Sequence, residues 1–221
     1  MKRIPIFLLF IFFWSCDEDR ISFTDPQPEN VDADEEIRDN FQGRYFCAAD
    51  STWLLIKPQT ITERSGHFDF DISGEHLEVN GDKDTRLKTE IGKDSSLAIK
   101  VDIDTDDAAD SVHVKGEVEE RIFDMRKGHI AKFFRGYYFL NLPHEDDKGY
   151  KVRLLRKTNE GLLFCRIQSD SLLKLMEDED FVDRKESDGN EQWTLHPSRK
   201  ELKRLINRGL FSDVREYRKV D

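Results

Sequence analysis

The chain has 221 residues, of which 46 are acidic and 35 basic, and its formal net charge is −11 at pH 7. A nucleic-acid partner is disfavoured, because such proteins need a basic surface that neutralises phosphates. The length suffices for one sizeable hydrophobic core or two small ones.

The N-terminal residues predict export. Two basic residues precede an apolar run over residues 4–14, which ends at Ser15 and Cys16. A membrane-spanning helix needs about 20 apolar residues, so this run is too short to be one. A basic start, a short apolar run and a small residue at its end are typical of a secretory signal. We therefore predict that residues 1–15 are a signal peptide.

Residues 13–16 resemble the lipobox of bacterial lipoproteins, in which a peptidase cuts before a cysteine that carries a diacylglycerol group. The resemblance implies that Cys16 is the site of lipid attachment. Several acyl chains would hold the protein at a membrane surface, since each buried methylene contributes about 0.8 kcal/mol. An ordinary signal peptide with a coincidental cysteine is the alternative.

Residues 16–36 predict a flexible acidic tether, because they combine many carboxylates with Pro26 and Pro28 and few large apolar side chains. Asp17, Glu18 and Asp19 also resemble the acidic tract that directs Bacteroidota lipoproteins to the outer face of the outer membrane. That resemblance implies display at the cell surface. The alternative is an ordinary charged linker on a protein that faces the periplasm.

Residues 37–126 predict a β-rich region. A short helix with Ile37 and Phe41 on one face is expected to end at Gly43. Strict alternation of apolar and polar residues then indicates antiparallel strands with one buried face. The expected strands lie at residues 53–57, 67–72, 77–79 before the turn Asn80-Gly81, 97–104 and 112–118. We expect them to form a small barrel or sandwich.

Residues 127–221 predict an α+β region made of a β-meander and two helices. The expected elements are a helix-like unit at residues 130–136, strands at 137–141, 150–155, 162–167 and 191–195, and helices at 171–176 and from Ser198 to about Gly209. Ser198 and Glu201 have the spacing of a capping box. The pattern Phe-x-Gly-x-Tyr-Phe at residues 41–46 recurs at 134–139, which indicates a diverged internal repeat. A common helix, glycine and strand unit is the alternative.

No catalytic, cofactor-binding or metal-ligating residue is assigned. The aspartates at residues 102–107 lack the glycine and glutamate of a calcium loop, and the cluster at 144–147 lacks the second histidine of a zinc helix. Nucleophile elbows, phosphate-binding glycine loops and Cys-x-x-Cys pairs do not occur in the sequence. No cofactor is expected.

Cys47 and Cys165 have two interpretations. After export they could form a disulfide that contributes about 4 to 5 kcal/mol. However, the repeat alignment places both at apolar core positions, which favours two buried thiols.

The acidic tract, residues 134–141, and residues 197–203 followed by Gly209 and Phe211 resemble uncharacterised lipoproteins of the Bacteroidota. That family has no assigned activity, so the resemblance implies location and architecture only. We expect a lipid-anchored binding or structural protein at the outer membrane, with an envelope or extracellular protein or glycan as partner. A hydrolase of envelope glycan or peptidoglycan and a protective protein that blocks a toxin are the alternatives. An enzymatic role is left open and is the less favoured.

Overall fold

The computed structural model describes residues 20–73, 87–90, 97–106, 111–144, 149–167, 171–174, 179–187 and 190–220. These residues form strands, two short α-helices and two 3-10 turns at Asp39–Phe41 and Met125–Lys127. The strands are β1 (Ile21–Phe23), β2 (Gly43–Cys47), β3 (Thr52–Ile56), β4 (Thr60–Ser73), β5 (Leu87–Glu90), β6 (Leu97–Asp106), β7 (Ser111–Asp124), β8 (Ile130–Phe134), β9 (Tyr137–Pro143), β10 (Tyr150–Lys157), β11 (Gly161–Arg166), β12 (Val182–Ser187), β13 (Asn190–Leu195) and β14 (Asp213–Val220). The helices are α1 (Ser171–Lys174) and α2 (Arg199–Asn207).

One sheet contains all of these strands. Its order is β12-β13-β1-β10-β11-β14-β2-β3-β4-β7-β6-β5, and the hairpin β8–β9 attaches to β10. Among the described pairings, β1 with β13 is parallel and the others are antiparallel. The predicted mainly β, antiparallel architecture with helices is therefore confirmed. Of the two forms considered for it, a closed barrel is not formed over the described residues.

Two hydrophobic cores lie on opposite faces of this sheet. Neighbouring residues of a strand point to opposite faces. Accordingly, Leu154 and Cys165 belong to one core, whereas Leu155 and Phe164 belong to the other. We call the first the helix core, because Leu202 and Leu205 of α2 pack into it. We call the second the tyrosine core, after its members Tyr45, Tyr138 and Tyr217.

The predicted tether is wrong for residues 20–36, which are built into the fold. β1 lies between β13 and β10, and its Ile21 and Phe23 are buried in the helix core. Within the described sheet, β1 is also the strand that joins the hairpin β12–β13 to β10. The prediction failed because composition averages over the whole segment, while two apolar side chains in an alternating position suffice to bury a short strand. Residues 16–19 lie outside the described part.

Buried polar side chains hold the segment that follows β1. The Asn141 amide group donates to the Gln27 carbonyl at 2.9 Å, and its oxygen accepts from the Gln27 amide at 2.6 Å. The Lys132 ammonium donates to the carbonyls of Pro26 and Pro28, at 2.7 and 3.0 Å. These bonds replace water for backbone groups that would otherwise be buried without a partner.

The Tyr138 hydroxyl anchors the next part of the N-terminal segment. It donates to an oxygen of the Asp34 carboxylate at 2.6 Å and accepts from the Arg38 amide at 3.0 Å. Burial, followed by this bond to Asp34, raises the pKa of Tyr138 to about 12. The phenol therefore stays protonated and keeps donating.

The unit at residues 130–136 is a strand and turn, not the predicted helix. β8 pairs with β9 through a two-residue turn in which Arg135 and Gly136 have φ of 50° and 86°. Two positive φ angles in succession match the right-handed twist of a hairpin, which explains the strand. In the first region the matching position is a 3-10 turn at Asp39–Phe41. The two copies of the proposed repeat therefore differ just before their shared pattern, where the first has a 3-10 turn and the second has strand β8.

Most other predicted elements in the described residues are confirmed. They include the strands at 53–57, 67–72, 97–104, 112–118, 137–141, 150–155, 162–167 and 191–195. Helix α2 is also confirmed, with the capping box of Ser198 and Glu201 in place and Gly209 in the left-handed conformation after its end. The helix predicted at 171–176 begins as α1. Residues 175 and 176 of this predicted helix lie outside the described residues. The strand and turn predicted at 77–81 also lie outside them.

Candidate functional site

The sheet face that carries the helix core is only partly covered. On β14, Val214 lies opposite Cys165 of that core, and Arg218 then lies opposite Phe46 of β2. Farther along the same face, Phe46 lies opposite Trp53 of β3. Val214 is 50% exposed and Trp53 36%, and they are the exposed large hydrophobic residues of the described chain. The helices thus cover one part of this face and leave the part around Trp53 open to solvent.

A groove of about 370 Å³ lies on this open part of the face. Its size falls within the range of about 300 to 1,000 Å³ that is usual for small-molecule sites. We call it the Trp53 groove. Its lining consists of Arg44, Trp53, Leu54, Leu55, Thr62, Arg64, Glu117 and Glu119. The pairing of four strands brings these residues together, since Trp53 lies opposite Arg64 and Arg64 lies opposite Glu119.

Trp53 supplies the main apolar surface of the groove. Its ring centroid lies 4.8 Å from that of Phe46, and the two ring planes are inclined by 47°. Phe46 is half-buried and so supports Trp53 from the neighbouring strand. Contact between aromatic rings at this distance contributes about 0.5 to 1.5 kcal/mol beyond area burial. Trp53 is therefore held in place although one side of it faces water.

Charged side chains form the opposite side of the groove. Arg64 contacts Glu119 at 3.3 Å through Nη2 and Glu117 at 3.6 Å through Nε. Arg44, on β2 at the other end of the groove, is the second arginine among the described lining residues, so the formal charges of these two arginines and two glutamates cancel. Exposed ion pairs of this kind contribute only about 0 to 1 kcal/mol to stability. Their donors and acceptors can thus be shared with a ligand at little cost to the fold.

A β-bulge lies at the end of the groove. The register between β4 and β7 shifts between Ser65 and His67, and Gly66 in between has φ of +72°. Such bulges bend a strand and change the direction of its side chains, and they are frequent beside functional sites. Glu119 pairs before the bulge and Glu117 after it, yet both reach Arg64. The bulge therefore shapes the charged side of the groove.

A network of polar side chains stiffens the other face of the same strands. The guanidinium of Arg215 on β14 contacts Glu63 at 3.2 Å and Asp50 at 3.3 Å. The Thr52 hydroxyl donates to Asp50 at 2.6 Å and lies 3.2 Å from the hydroxyl of Tyr217. These contacts join β14 to β3 and β4, directly behind Trp53 and Arg64.

The protonation states in this network favour its hydrogen bonds. Burial acts to raise the pKa of Asp50, but the hydrogen bonds from Thr52 and the charge of Arg215 outweigh it, and the pKa is lowered. Burial raises the pKa of Tyr217, so its hydroxyl remains a donor. The network is therefore a support for the groove, because a site needs neighbours that fix its side chains.

The structure locates the residues singled out in the sequence as follows. Cys16 lies outside the described residues. Cys47 and Cys165 are free thiols, buried in the tyrosine core and the helix core respectively. They lie on opposite faces of the sheet, so the disulfide is not formed and the interpretation as buried thiols holds. Burial raises the pKa of the Cys165 thiol to about 11, which makes it a poor nucleophile.

The two acidic clusters of the sequence are only partly described by the structure. Asp102, Asp104 and Asp106 lie on β6, as expected for a strand. His144 is described, but residues 145–147 are not. Over the described residues, no group of three or more His, Cys, Asp and Glu is arranged to hold a metal ion. In that same part of the chain, no helix has the length and apolar character needed to cross a membrane.

Sequence reasoning missed the Trp53 groove, although one signal was available. Thr52, Leu54 and Ile56 are buried on one face of β3, and Trp53 and Leu55 lie on the other. A strand that is apolar on both faces needs something to cover the second face. The charged side of the groove has no comparable signal, because Arg64 and Glu119 meet only through cross-strand pairing.

No protein-family model matches this chain, and neither a curated protein nor a solved structure matches it. The function must therefore be argued from the groove and the N-terminal residues. Chemically, the groove offers an aromatic surface beside two guanidinium groups and two carboxylates. Glu117 and Glu119 lie on one strand and contact the same arginine, whereas glycosidases place two carboxyl groups on either side of the scissile bond. The arrangement suits binding better than hydrolysis.

Proposed function

We propose that this chain is a lipid-anchored protein of the cell envelope that binds a ligand in the Trp53 groove. The observation that carries the binding function is the open part of the sheet face, where a supported tryptophan lies beside a charge-balanced set of side chains. Aromatic surface beside a few convergent polar groups in a concave site is the usual composition of a small-molecule binding site.

The signal-like residues 1–15 and Cys16 support attachment to a membrane, and the acidic residues 17–19 support display on the outer face. The position of β1 limits the geometry of such an anchor. Four residues separate Cys16 from Ile21, so their Cα atoms are five steps of the chain apart, at most about 18 Å. The folded body would therefore stay close to the lipid surface, where it meets molecules attached to the same membrane or arriving from outside.

Labelling with a palmitate analogue tests the anchor. Wild type should incorporate the label, whereas Cys16→Ala should not. Cys47→Ala is the control for loss of a cysteine and should be labelled like the wild type. Unlabelled wild-type protein would contradict the anchor.

A membrane-impermeant amine reagent, applied to intact cells, tests the orientation. Labelling of the wild type, with loss of labelling when Asp17, Glu18 and Asp19 become Asn, Gln and Asn, supports outward display. Equal protection of both proteins would contradict it and would place the body on the periplasmic side.

A further inference from the structure

We infer that the ligand of the Trp53 groove is a neutral saccharide. The inference rests on the binding function proposed above and adds the chemical class of the ligand. Three properties of the groove lead to it: the partly exposed Trp53 ring, the mixture of hydrogen-bond donors and acceptors, and the balance of charge among the lining residues that the structure describes.

The aromatic face matches one side of a sugar ring. A pyranose presents a flat patch of C–H groups, and such a patch packs against the face of an aromatic ring, whose centre carries negative charge. Trp53 has the largest such face among the amino acids and is 36% exposed. Its contact with Phe46 limits its movement, so less conformational entropy is lost when a ring stacks on it.

The charged side of the groove matches the hydroxyl groups of a sugar. Each hydroxyl both donates and accepts, so it needs partners of both kinds. Arg64 donates and Glu117 and Glu119 accept, and the three are already in contact at 3.3 to 3.6 Å. Guanidinium and carboxylate groups can each bind two neighbouring oxygens, which suits adjacent hydroxyls on a ring.

The balance of charge selects a neutral ligand. Among the described lining residues are two arginines and two glutamates, so a phosphate, sulfate or uronate would meet carboxylates as well as guanidinium groups. An isolated cation would meet the arginines in the same way. The net charge of −11 on the whole chain further disfavours polyanions.

Other occupants fit the lining less well. A lipid chain or the apolar face of a helix would cover the ion pairs of Arg64 with Glu117 and Glu119 without offering them hydrogen bonds, and removing ion pairs from water carries a desolvation cost. An extended peptide adds to the edge of a sheet, whereas Trp53 and Arg64 lie on a face between paired strands.

Isothermal titration of the purified full chain against defined oligosaccharides tests the inference. The neutral probes are cellohexaose, xylohexaose, mannohexaose, maltohexaose and chitohexaose, and the charged probes are hexagalacturonic acid and a heparin hexasaccharide. We expect at least one neutral probe to bind. Its affinity should fall at least tenfold in Trp53→Ala and less in Trp53→Phe, which keeps a ring. Arg64→Gln should also weaken binding.

Val214→Ala is the matched control. Val214 is the second exposed large hydrophobic residue of the described chain, and it is not among the lining residues of the groove. The variant should bind within twofold of the wild type. The inference is overturned if no neutral probe binds, or if binding survives Trp53→Ala in a variant whose circular dichroism spectrum is that of the wild type. If only charged probes bind and Trp53→Ala removes that binding, the saccharide is not neutral and the inference fails, while the proposed binding function stands.

Discussion

Two parts of one sheet face carry a tryptophan each, and they differ in what lies above it. Trp193 on β13 is fully buried in the helix core, to which the apolar side chains of α2 also belong. Trp53 on β3 is 36% exposed, beside charged side chains. The same type of residue therefore contributes to folding in one part and remains available to a ligand in the other. What decides its role is whether an element of the chain covers it.

The covered part gains stability from burial, at about 25 cal/mol for each Å² of apolar surface removed from water. The open part of the face lacks this stabilisation around Trp53, because no described helix removes the exposed apolar surface there from water. There the strands are instead stabilised from the opposite face of the sheet, by the polar network of Arg215, Glu63 and Asp50. Substitutions in the two parts should therefore separate stability from binding.

The largest effect is expected from Phe23→Ala in the covered part. Phe23 is fully buried on β1, so its truncation should lower the free energy of unfolding by about 3 to 5 kcal/mol. Chemical denaturation measures the change, and Ser22→Ala on the same strand is the control, with a much smaller expected loss. An effect of Phe23→Ala below about 0.5 kcal/mol would mean that this segment is a tether after all.

A second test compares carboxylates along β7. Asp124 is buried at the end of that strand, where its oxygens accept hydrogen bonds from Arg126 at 2.8 and 2.9 Å. Hydrogen bonds from Arg126 lower the pKa of Asp124 from 3.8 to about 2. Asp124→Asn should cost about 1 to 3 kcal/mol at pH 7, whereas Glu119→Gln in the groove should cost far less.

The contribution of the Asp124 carboxylate to stability should depend on pH. Because the pKa of Asp124 is lower in the folded protein, its stabilising effect is present above pH 3.8 and is lost as the pH falls towards 2. The gap in melting temperature between wild type and Asp124→Asn should narrow over this range. A gap that stays constant would show that the carboxylate charge is not what stabilises this end of β7.

A modest loss of stability is expected from Gly66→Ala at the bulge. Alanine is disfavoured at φ of +72°, so the substitution should cost about 1 kcal/mol. Gly128→Ala, at φ of +82° and away from the groove, is the matched control with a similar cost. Only Gly66→Ala should weaken ligand binding. Equal binding by both variants would show that the bulge does not shape the groove.

A smaller loss of stability than that of Phe23→Ala is expected from Trp53→Ala. The ring is partly exposed and its truncation leaves no internal cavity, so the free energy of unfolding should fall by about 1 to 2 kcal/mol, largely through the lost contact with Phe46. Denaturant unfolding of this variant, measured beside Phe23→Ala, gives the contrast directly. A loss of 3 kcal/mol or more would place Trp53 among the core residues and remove the distinction between the two parts.

Much of the sheet could be predicted from sequence, because alternation is a local signal. The strands that contain residues 97–104 and 112–118 alternate over long stretches, and the capping box at Ser198 marks its helix within four residues. β1 could not be predicted in this way, because three residues are too few for a pattern. The spacing of Ile130 and Phe134 fits a helix as well as a strand, and only the turn at Arg135 decided between them.

The groove could not be predicted because it depends on non-local pairing. Arg44, Trp53, Arg64 and Glu119 come from four strands, and only the register places them side by side. The exposure of Trp53 depends in turn on where α2 packs, which the pattern of β3 does not reveal. Both properties arise from the tertiary arrangement.

The most direct test of the account is the accessibility of Trp53 with and without a saccharide. The emission of this residue is obtained as the difference between wild type and Trp53→Phe, and acrylamide quenching reports its exposure. We expect strong quenching in the free protein and clear protection at saturating concentrations of a bound neutral oligosaccharide. Weak quenching in the free protein, or no protection by any neutral oligosaccharide, would contradict it.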